Sequence, residues 1–325
     1  MGSRIREERL NFMPFEYQWA YDYWFNQQNA HWMFQEINMQ KDIKDWHEEL
    51  SEDEKKIIGN ILKGFAQTET AVNDIWTQKV TAWFPVPEIK MMAVTFGSFE
   101  TIHARAYAYL NEILGLDDFE AFMEDDATMA RLEQLINIPI DSSTKDIAKA
   151  LALFSACAEG VSLFSQFAIL LSFRQKNLLK GISQQMIYSC RDESLHSEAG
   201  CKLFRELIKE NPEIDTPEFR SEIKDAFDLF IEKELDYLDS IFGDQALTTI
   251  TKEDLIEFIF DRANKKLREL GITNEDLYEV NKDNLKNLEW FYPMISGTQS
   301  TDFFDNKETG YSKAGQDWNS GEDMF

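Results

Sequence analysis

Two short motifs carry the first chemistry this sequence suggests. Glu100-Thr-Ile-His103 and Glu193-Ser-Leu-His196 each set a carboxylate and an imidazole three residues apart. On a helix, positions i and i+3 share a face, so each motif aims both groups at one point. The chain has four histidines, and two of them stand in this same local context. Each motif also follows a segment with a glutamate of its own. Glu69 lies 31 residues before Glu100, and Glu159 lies 34 residues before Glu193. Antiparallel neighbouring helices of that length would bring all six groups to the middle of a bundle. One Glu from each of two helices, with a Glu-x-x-His from each of two more, is a carboxylate-bridged two-metal pattern. Such a ligand set suits iron or manganese, and the lack of thiolates argues against a zinc finger or an iron–sulfur site. One such motif on an acidic helical chain is weak evidence; two, each partnered by a Glu-bearing helix, are specific.

The elements that must position these groups are helices. Glycine and proline are scarce, at 14 and 7, and alternating strand patterns are hard to find. A first helix is expected over about 15–34. Ser51-Glu-Asp-Glu54 is a capping box that opens a long helix running through Glu69 to about Lys79. Pro85-Val-Pro87 starts the next, which carries Glu100, His103 and Tyr107 and stops at Gly115. A shorter acidic helical stretch follows. Ser142-Ser-Thr144 then caps the helix with Glu159, and a helix over about 178–209 carries Glu193 and His196. Two amphipathic helices are expected over about 217–242 and 252–270. The expected fold is all-α: a ferritin-like helical bundle over residues 1–295, with extra flanking helices. From about Ser296 periodicity stops and Gly, Ser, Asn, Asp and Lys predominate, which predicts a flexible C-terminal tail over 296–325.

Composition excludes several classes. The chain has 325 residues, of which 43% are hydrophobic, enough for a large core. Acids outnumber bases 59 to 33, for a formal charge of −26, which argues against a nucleic-acid partner. Residues 151–173 could pass for a membrane span, but they hold Glu159 together with Ser155, Ser162, Ser165 and Gln166. A helix buried on all sides of a bundle fits better, and an ionised carboxylate there needs a partner or a metal. Cys157, Cys190 and Cys201 show no paired spacing and read as buried free thiols in a reducing cytoplasm. No charged-then-apolar leader is evident at residues 1–30.

At these motifs the chain resembles the small, radical-generating subunit of class I ribonucleotide reductase, from about residue 10 onward. Phe99-Glu-Thr-Ile-His-Ala-Arg-Ala-Tyr107, Ala158-Glu-Gly160, Arg191-Asp-Glu-Ser-Leu-His196 and Phe65-Ala-Gln-Thr-Glu69 carry the likeness. The resemblance implies metal ligation by Glu69, Glu100, His103, Glu159, Glu193 and His196. It also implies an oxidant drawn from O2 and stored on Tyr107 or on the metals. Leu163 and Phe167, four and eight positions after Glu159, are candidates to shield that tyrosine. The family usually has aspartate where Glu69 stands. Glutamate is one methylene longer and admits another binding mode, so the metal pair stays open between two irons, two manganese ions and one of each.

The same resemblance assigns a relay. Trp32 looks like the family's relay tryptophan, although alone it would pass for core, and Asp192 looks like the aspartate linking it to His103. Tyr311, 14 residues before Phe325, resembles the tail tyrosine that passes the radical between subunits. The segment Asp317-Trp-Asn-Ser-Gly-Glu-Asp-Met-Phe325 resembles the acidic, aromatic-ended anchor that docks on the large subunit. Implied partners are therefore the large (alpha) subunit, a second copy of the chain in a homodimer, and an activating flavoprotein. No glycine-rich phosphate loop or catalytic cysteine set is present, so the chain alone should not reduce ribonucleotides. Two other readings share the ligands. A stand-alone two-metal oxidase would use a valine–tyrosine crosslink where this chain has Ala71 and Phe154. An iron-storage bundle would have no use for an anchored tail.

Overall fold

Local sequence starts and stops most of the helices. Ser51 accepts from the Glu54 backbone while the Glu54 carboxylate accepts from the Ser51 N–H, closing the capping box of a helix over Glu52–Asp74. Thr251 and Asp254 do the same for Lys252–Glu269, and Thr216 caps Pro217–Phe242. Gly115, at φ 70°, ends the helix that begins at Pro87.

The computed structural model describes residues 4–116, 139–272 and 277–295, apart from the side chains of residues 66 and 67. We number the main helices α1 (Gln18–Asn29), α2 (Gln40–Glu48), α3 (Glu52–Asp74), α4 (Pro87–Leu114), α5 (Thr144–Ala152), α6 (Leu163–Ser172), α7 (Lys180–Glu210), α8 (Pro217–Phe242) and α9 (Lys252–Glu269). No strand occurs among the described residues. The expected acidic helix after Gly115 and the segment from Ser296, with Tyr311 and the 317–325 anchor, lie outside the described residues.

Helices α3 and α4 pack along each other, and α7 packs against the segment joining α5 to α6. These contacts form the four-helix centre. Its second layer is α1 on α4 and α9 on the α5–α6 segment. The segment from Thr144 to Lys176 is apolar and long enough to cross a membrane, yet 89% of its most apolar window is buried inside the bundle. Cys157, Cys190 and Cys201 are free and buried, as the sequence suggests.

Three features depart from the sequence reading. The first helix is shorter than 15–34: α1 stops at Asn29, and Phe34–Glu36 forms a separate 3-10 turn. The chain leaves the helix there to bring the Trp32 indole to Asp192. Helix α2 was not expected; its role is to cap α7. Asp42 accepts from the free N–H groups of Gly181 and Ile182, at 3.0 and 2.7 Å, and Asp45 accepts from Leu179 at 3.0 Å. Carboxylates satisfy the orphan donors of a helix N-terminus and oppose its dipole. Gly181 makes this approach feasible, since a Cβ there would stand 2.9 Å from both Asp42 Oδ2 and the Asn38 carbonyl.

The third departure is π-helical winding over Ile75–Val80 and Leu153–Ser162. The second run contains Glu159. An i→i+5 turn inserts a residue into the helical repeat and re-aims the side chains that follow, which is why such turns recur at functional sites.

Candidate metal centre

Helices α4 and α7 run past each other antiparallel in a simple register. Glu100 meets His196, with Oε1 2.7 Å from Nδ1, and three residues along each helix His103 meets Glu193, with Nδ1 2.9 Å from Oε1. Each imidazole also faces the carboxylate of its own motif, His103 Nδ1 at 3.0 Å from Glu100 Oε2 and His196 Nδ1 at 3.6 Å from Glu193 Oε2. The two oxygens of Glu100 therefore point to different histidines, and so do those of Glu193.

Glu69 from α3 completes one group with Glu100, His103 and Glu193. Glu159 completes the other with Glu100, Glu193 and His196. Within each group the candidate ligand atoms lie within 4.8 Å of one another. Glu100 and Glu193 belong to both groups, as bridging ligands would, whereas Glu69 and Glu159 belong to one group each. All six residues are essentially inaccessible to water.

This donor set fits a pair of divalent ions. Among the described residues, both oxygens of Glu69 and of Glu193, Glu100 Oε1, Glu159 Oε2 and both ring nitrogens of His196 complete no hydrogen bond of acceptable geometry. So many buried polar atoms without partners would be costly in a metal-free core. Four carboxylates carry the charge that two divalent ions cancel, with the imidazoles bound neutral.

Burial and the mutual charges of these residues set their electrostatics. Burial, reinforced by Glu193 and Glu100, pushes Glu69 well above the usual carboxylate range, and burial with Glu193 does the same to Glu159. Burial opposes charge on His196, but Glu100 and Glu193 outweigh it and hold its pKa up at about 9. His103 is likewise raised: burial works against its charge, and Asp192, Glu100 and Glu193 win.

Groups around the ligands set their orientation. Asp192 Oδ2 accepts from Trp32 Nε1 at 2.7 Å and lies 3.2 Å from His103 Nε2, which leaves Nδ1 facing the carboxylates. Asp192 Oδ1 accepts from Gln27 and from the Arg191 guanidinium. Burial would raise Asp192, yet Arg191, His103 and Trp32 hold its pKa below the ordinary value. The Trp32 ring also stacks near His103, with centroids 5.9 Å apart. Trp32, expected on a relay, sits in a small apolar cluster with Phe34, Phe99 and Ala106, separate from the main core.

Tyr107 is fully buried one turn beyond His103, ring centroids 6.2 Å apart. The ring packed directly on it is Phe65, at 4.8 Å, with Phe167 behind Phe65 at 5.3 Å. Phe65 was not among the expected shielding residues. Tyr109, two positions on, packs on Phe34 instead.

The sequence reading missed Trp76, whose Nε1 donates to Glu159 Oε1 at 2.6 Å and leaves Oε2 for a metal. Its signal was present, because Trp76 lies seven residues after Glu69, two turns along the same face. Gln27 had no such signal, since it reaches Asp192 only through the packing of α1 on α7.

Comparison with known proteins agrees with this architecture. The sequence profile described as "Ribonucleotide reductase, small chain" matches residues 9–284. A protein of invertebrate iridescent virus 3, named "Probable ribonucleoside-diphosphate reductase small subunit", is 32% identical, covering 96% of this chain and 86% of its own. The ribonucleoside-diphosphate reductase subunit beta of Chlamydia pneumoniae is 26% identical over 93% of this chain and 90% of its own. Among solved structures, the ribonucleotide reductase R2 subunit of Clostridium botulinum superposes with a TM-score of 0.76 at 18% identity, over 86% of this chain and 89% of its own. The dimanganese(II)-NrdF of Streptococcus sanguinis gives 0.75 at 19%, over 90% of this chain and all of its own. On the profile match and the viral relative together, this chain belongs to the ribonucleotide reductase small-chain family.

Proposed function

We propose that Glu69, Glu100, His103, Glu159, Glu193 and His196 hold two iron or manganese ions, and that Tyr107 stores the oxidant generated there. The observation that carries this reading is the pair of overlapping four-residue clusters that share Glu100 and Glu193. The chain is the small subunit of a ribonucleoside-diphosphate reductase, an oxidoreductase. As such it works with a large subunit and pairs with a second copy of itself. Its fold relative from Streptococcus sanguinis is described as dimanganese(II), which supports keeping manganese beside iron.

When bound, the metal pair supplies the oxidising power, drawn from O2, to take an electron and a proton from a phenol. The chain's own residues do the rest. Asp192 holds His103 in the tautomer with Nε2–H, so that Nδ1 is free to ligate. Trp76 fixes one oxygen of Glu159. Phe65 and the apolar core behind it exclude water from Tyr107, so a radical there would be shielded from reductants. The path His103–Asp192–Trp32 leads outward through hydrogen-bonded and stacked groups, which supports a relay role for Asp192 and Trp32.

We assign residues 1–295 to the metal-binding unit and 296–325 to docking on the large subunit. Tyr311 passes the radical between subunits, and Trp318, Met324 and Phe325 anchor the tail; isolated hydrophobic groups in a polar segment support the assignment. A cytoplasmic location suits three free thiols. An activating flavoprotein is a further proposed partner.

Metal analysis combined with electron paramagnetic resonance tests the reading. The protein should bind two ions per chain and develop a tyrosyl signal with O2 that Tyr107→Phe lacks. His196→Ala should lose most of its metal while staying helical, and full occupancy in that variant would sink the ligand assignment. Turnover with the large subunit but without any tyrosyl signal would move the stored oxidant to the metals.

A further inference from the structure

The register between α4 and α7 extends one step beyond the ligands. Glu100 faces His196 and His103 faces Glu193. One turn further, four residues up α4 and four down α7, Tyr107 faces Ser189. Both residues are fully buried. Among the described residues, neither Tyr107 Oη nor Ser189 Oγ completes a hydrogen bond. A buried phenol ordinarily has a partner, and so does a buried serine, which otherwise bonds back to a carbonyl of its own helix. Two unpaired hydroxyls at facing, fully buried positions are each other's natural partners.

We infer that Ser189 is a positioning residue for Tyr107, its hydroxyl hydrogen-bonding the phenol oxygen in both the reduced and the oxidised state. This inference rests on Tyr107 being the stored-oxidant residue. A phenol can donate to Ser189 Oγ. Oxidation by a bound metal pair would take one electron from the phenol, and its proton would pass to Glu69, whose charge reaches the phenol, leaving a phenoxyl oxygen that can only accept. Serine suits both states because its hydroxyl accepts as well as donates and turns freely about its Cβ–Oγ bond. An aliphatic side chain there would leave the phenoxyl oxygen bare; a carboxylate could not donate to it. The electrostatics agree. Burial pushes the Tyr107 phenol well up, His103 draws it down, Glu69 and Glu193 push it up again, and the Ser189 hydroxyl adds a smaller downward pull.

Two measurements on the full chain decide the matter. In O2-activated protein exchanged into D2O, electron–nuclear double resonance should find an exchangeable deuteron coupled to the tyrosyl radical, and high-field resonance should show a lowered largest g component. Ser189→Ala should lose both signatures, and Ser189→Thr, which restores the hydroxyl, should keep them. A Ser189→Ala radical with the parent g component and the parent deuteron coupling overturns the inference. In metal-free protein carrying 13Cζ-tyrosine, the Tyr107 resonance, identified by its loss in Tyr107→Phe, should move in Ser189→Ala and stay in Ser189→Thr. An unmoved resonance also overturns it. If the parent protein forms no tyrosyl signal, storage on Tyr107 fails, and the metal-free measurement decides the hydrogen bond alone.

Discussion

Replacing Asp192 with asparagine should damage both folding and metal binding, because one carboxylate serves four partners at once. Asp192 accepts from Trp32 at 2.7 Å, from Gln27 at 3.0 Å and from Arg191 at 2.9 Å, and it faces His103 Nε2 at 3.2 Å. Asparagine keeps the shape but turns one of the two oxygens into an NH2 donor. If its oxygen stays on the Trp32 and His103 side, the amide NH2 confronts the N–H groups of Arg191 and Gln27. If it flips, the clash moves to Trp32 and His103. Either way two donors lose their acceptor and the buried negative charge is gone. A hydrogen bond involving a charged group contributes about 1.5–3 kcal/mol. Breaking a buried pair costs roughly 3–5 kcal/mol. Arg191 retains some solvent, with 22% of its side chain exposed, so the lower end applies. We expect Asp192→Asn to destabilise the metal-free protein by about 3 kcal/mol. With the His103 tautomer no longer enforced, metal affinity should fall about 10–100-fold. Urea unfolding followed by circular dichroism measures the first effect, and competition with a chelator measures the second. Gln27→Ala is the control: it removes one neutral donor, should cost about 1 kcal/mol, and should leave the affinity alone. If Asp192→Asn unfolds at the parent urea midpoint and binds metal at the parent affinity, the bridging role of Asp192 is wrong.

Three further predictions follow from other parts of the molecule. Neighbouring carboxylates favour the protonated imidazoles in the metal-free protein, pushing His196 up to about 9 and raising His103 as well. Loading should therefore release protons, measurable by calorimetry in buffers of different ionisation enthalpy. Because the raised groups bind protons more tightly folded than unfolded, the metal-free protein should lose stability as pH rises from 6.5 towards 9; rising stability there would contradict the assignment. Gly200→Ala would set a Cβ 2.0 Å from Ser155 Oγ and 2.6 Å from its Cβ, forcing α7 off the π-helical run. Thermal unfolding should report a loss of about 1–3 kcal/mol. Deleting residues 312–325 should leave metal content and O2 oxidation intact and abolish turnover with the large subunit, whereas Tyr311→Phe should keep docking and stop turnover; parent turnover by the deleted chain would refute the tail assignment.

Helix existence was legible wherever the information is local. The capping box at Ser51 and the stop at Gly115 involve residues within one turn of each other, so a linear reading finds them. The i, i+3 spacing of Glu and His was legible for the same reason, and so was the cost of burying Glu159 in an apolar helix. Family resemblance then matched Asp192 and Trp32 to relay positions that spacing alone would have left as core.

What escaped the sequence depends on groups far apart in the chain. The capping of α7 by Asp42 joins residues 139 positions apart, and nothing near either one announces it. The π-helical run over Leu153–Ser162 leaves no periodic mark, because a single inserted residue shifts the phase of a stretch that is buried on every side. The break after α1 answers to the pull of Asp192 on Trp32, not to local propensity. The sequence by itself determined which six residues could bind metal and that their helices had to meet. Only the tertiary structure decided that Glu100 and Glu193 belong to both four-residue groups while Glu69 and Glu159 belong to one each, because this depends on the antiparallel register of α4 against α7. Side-chain packing between helices sets that register, and no spacing within one helix encodes it.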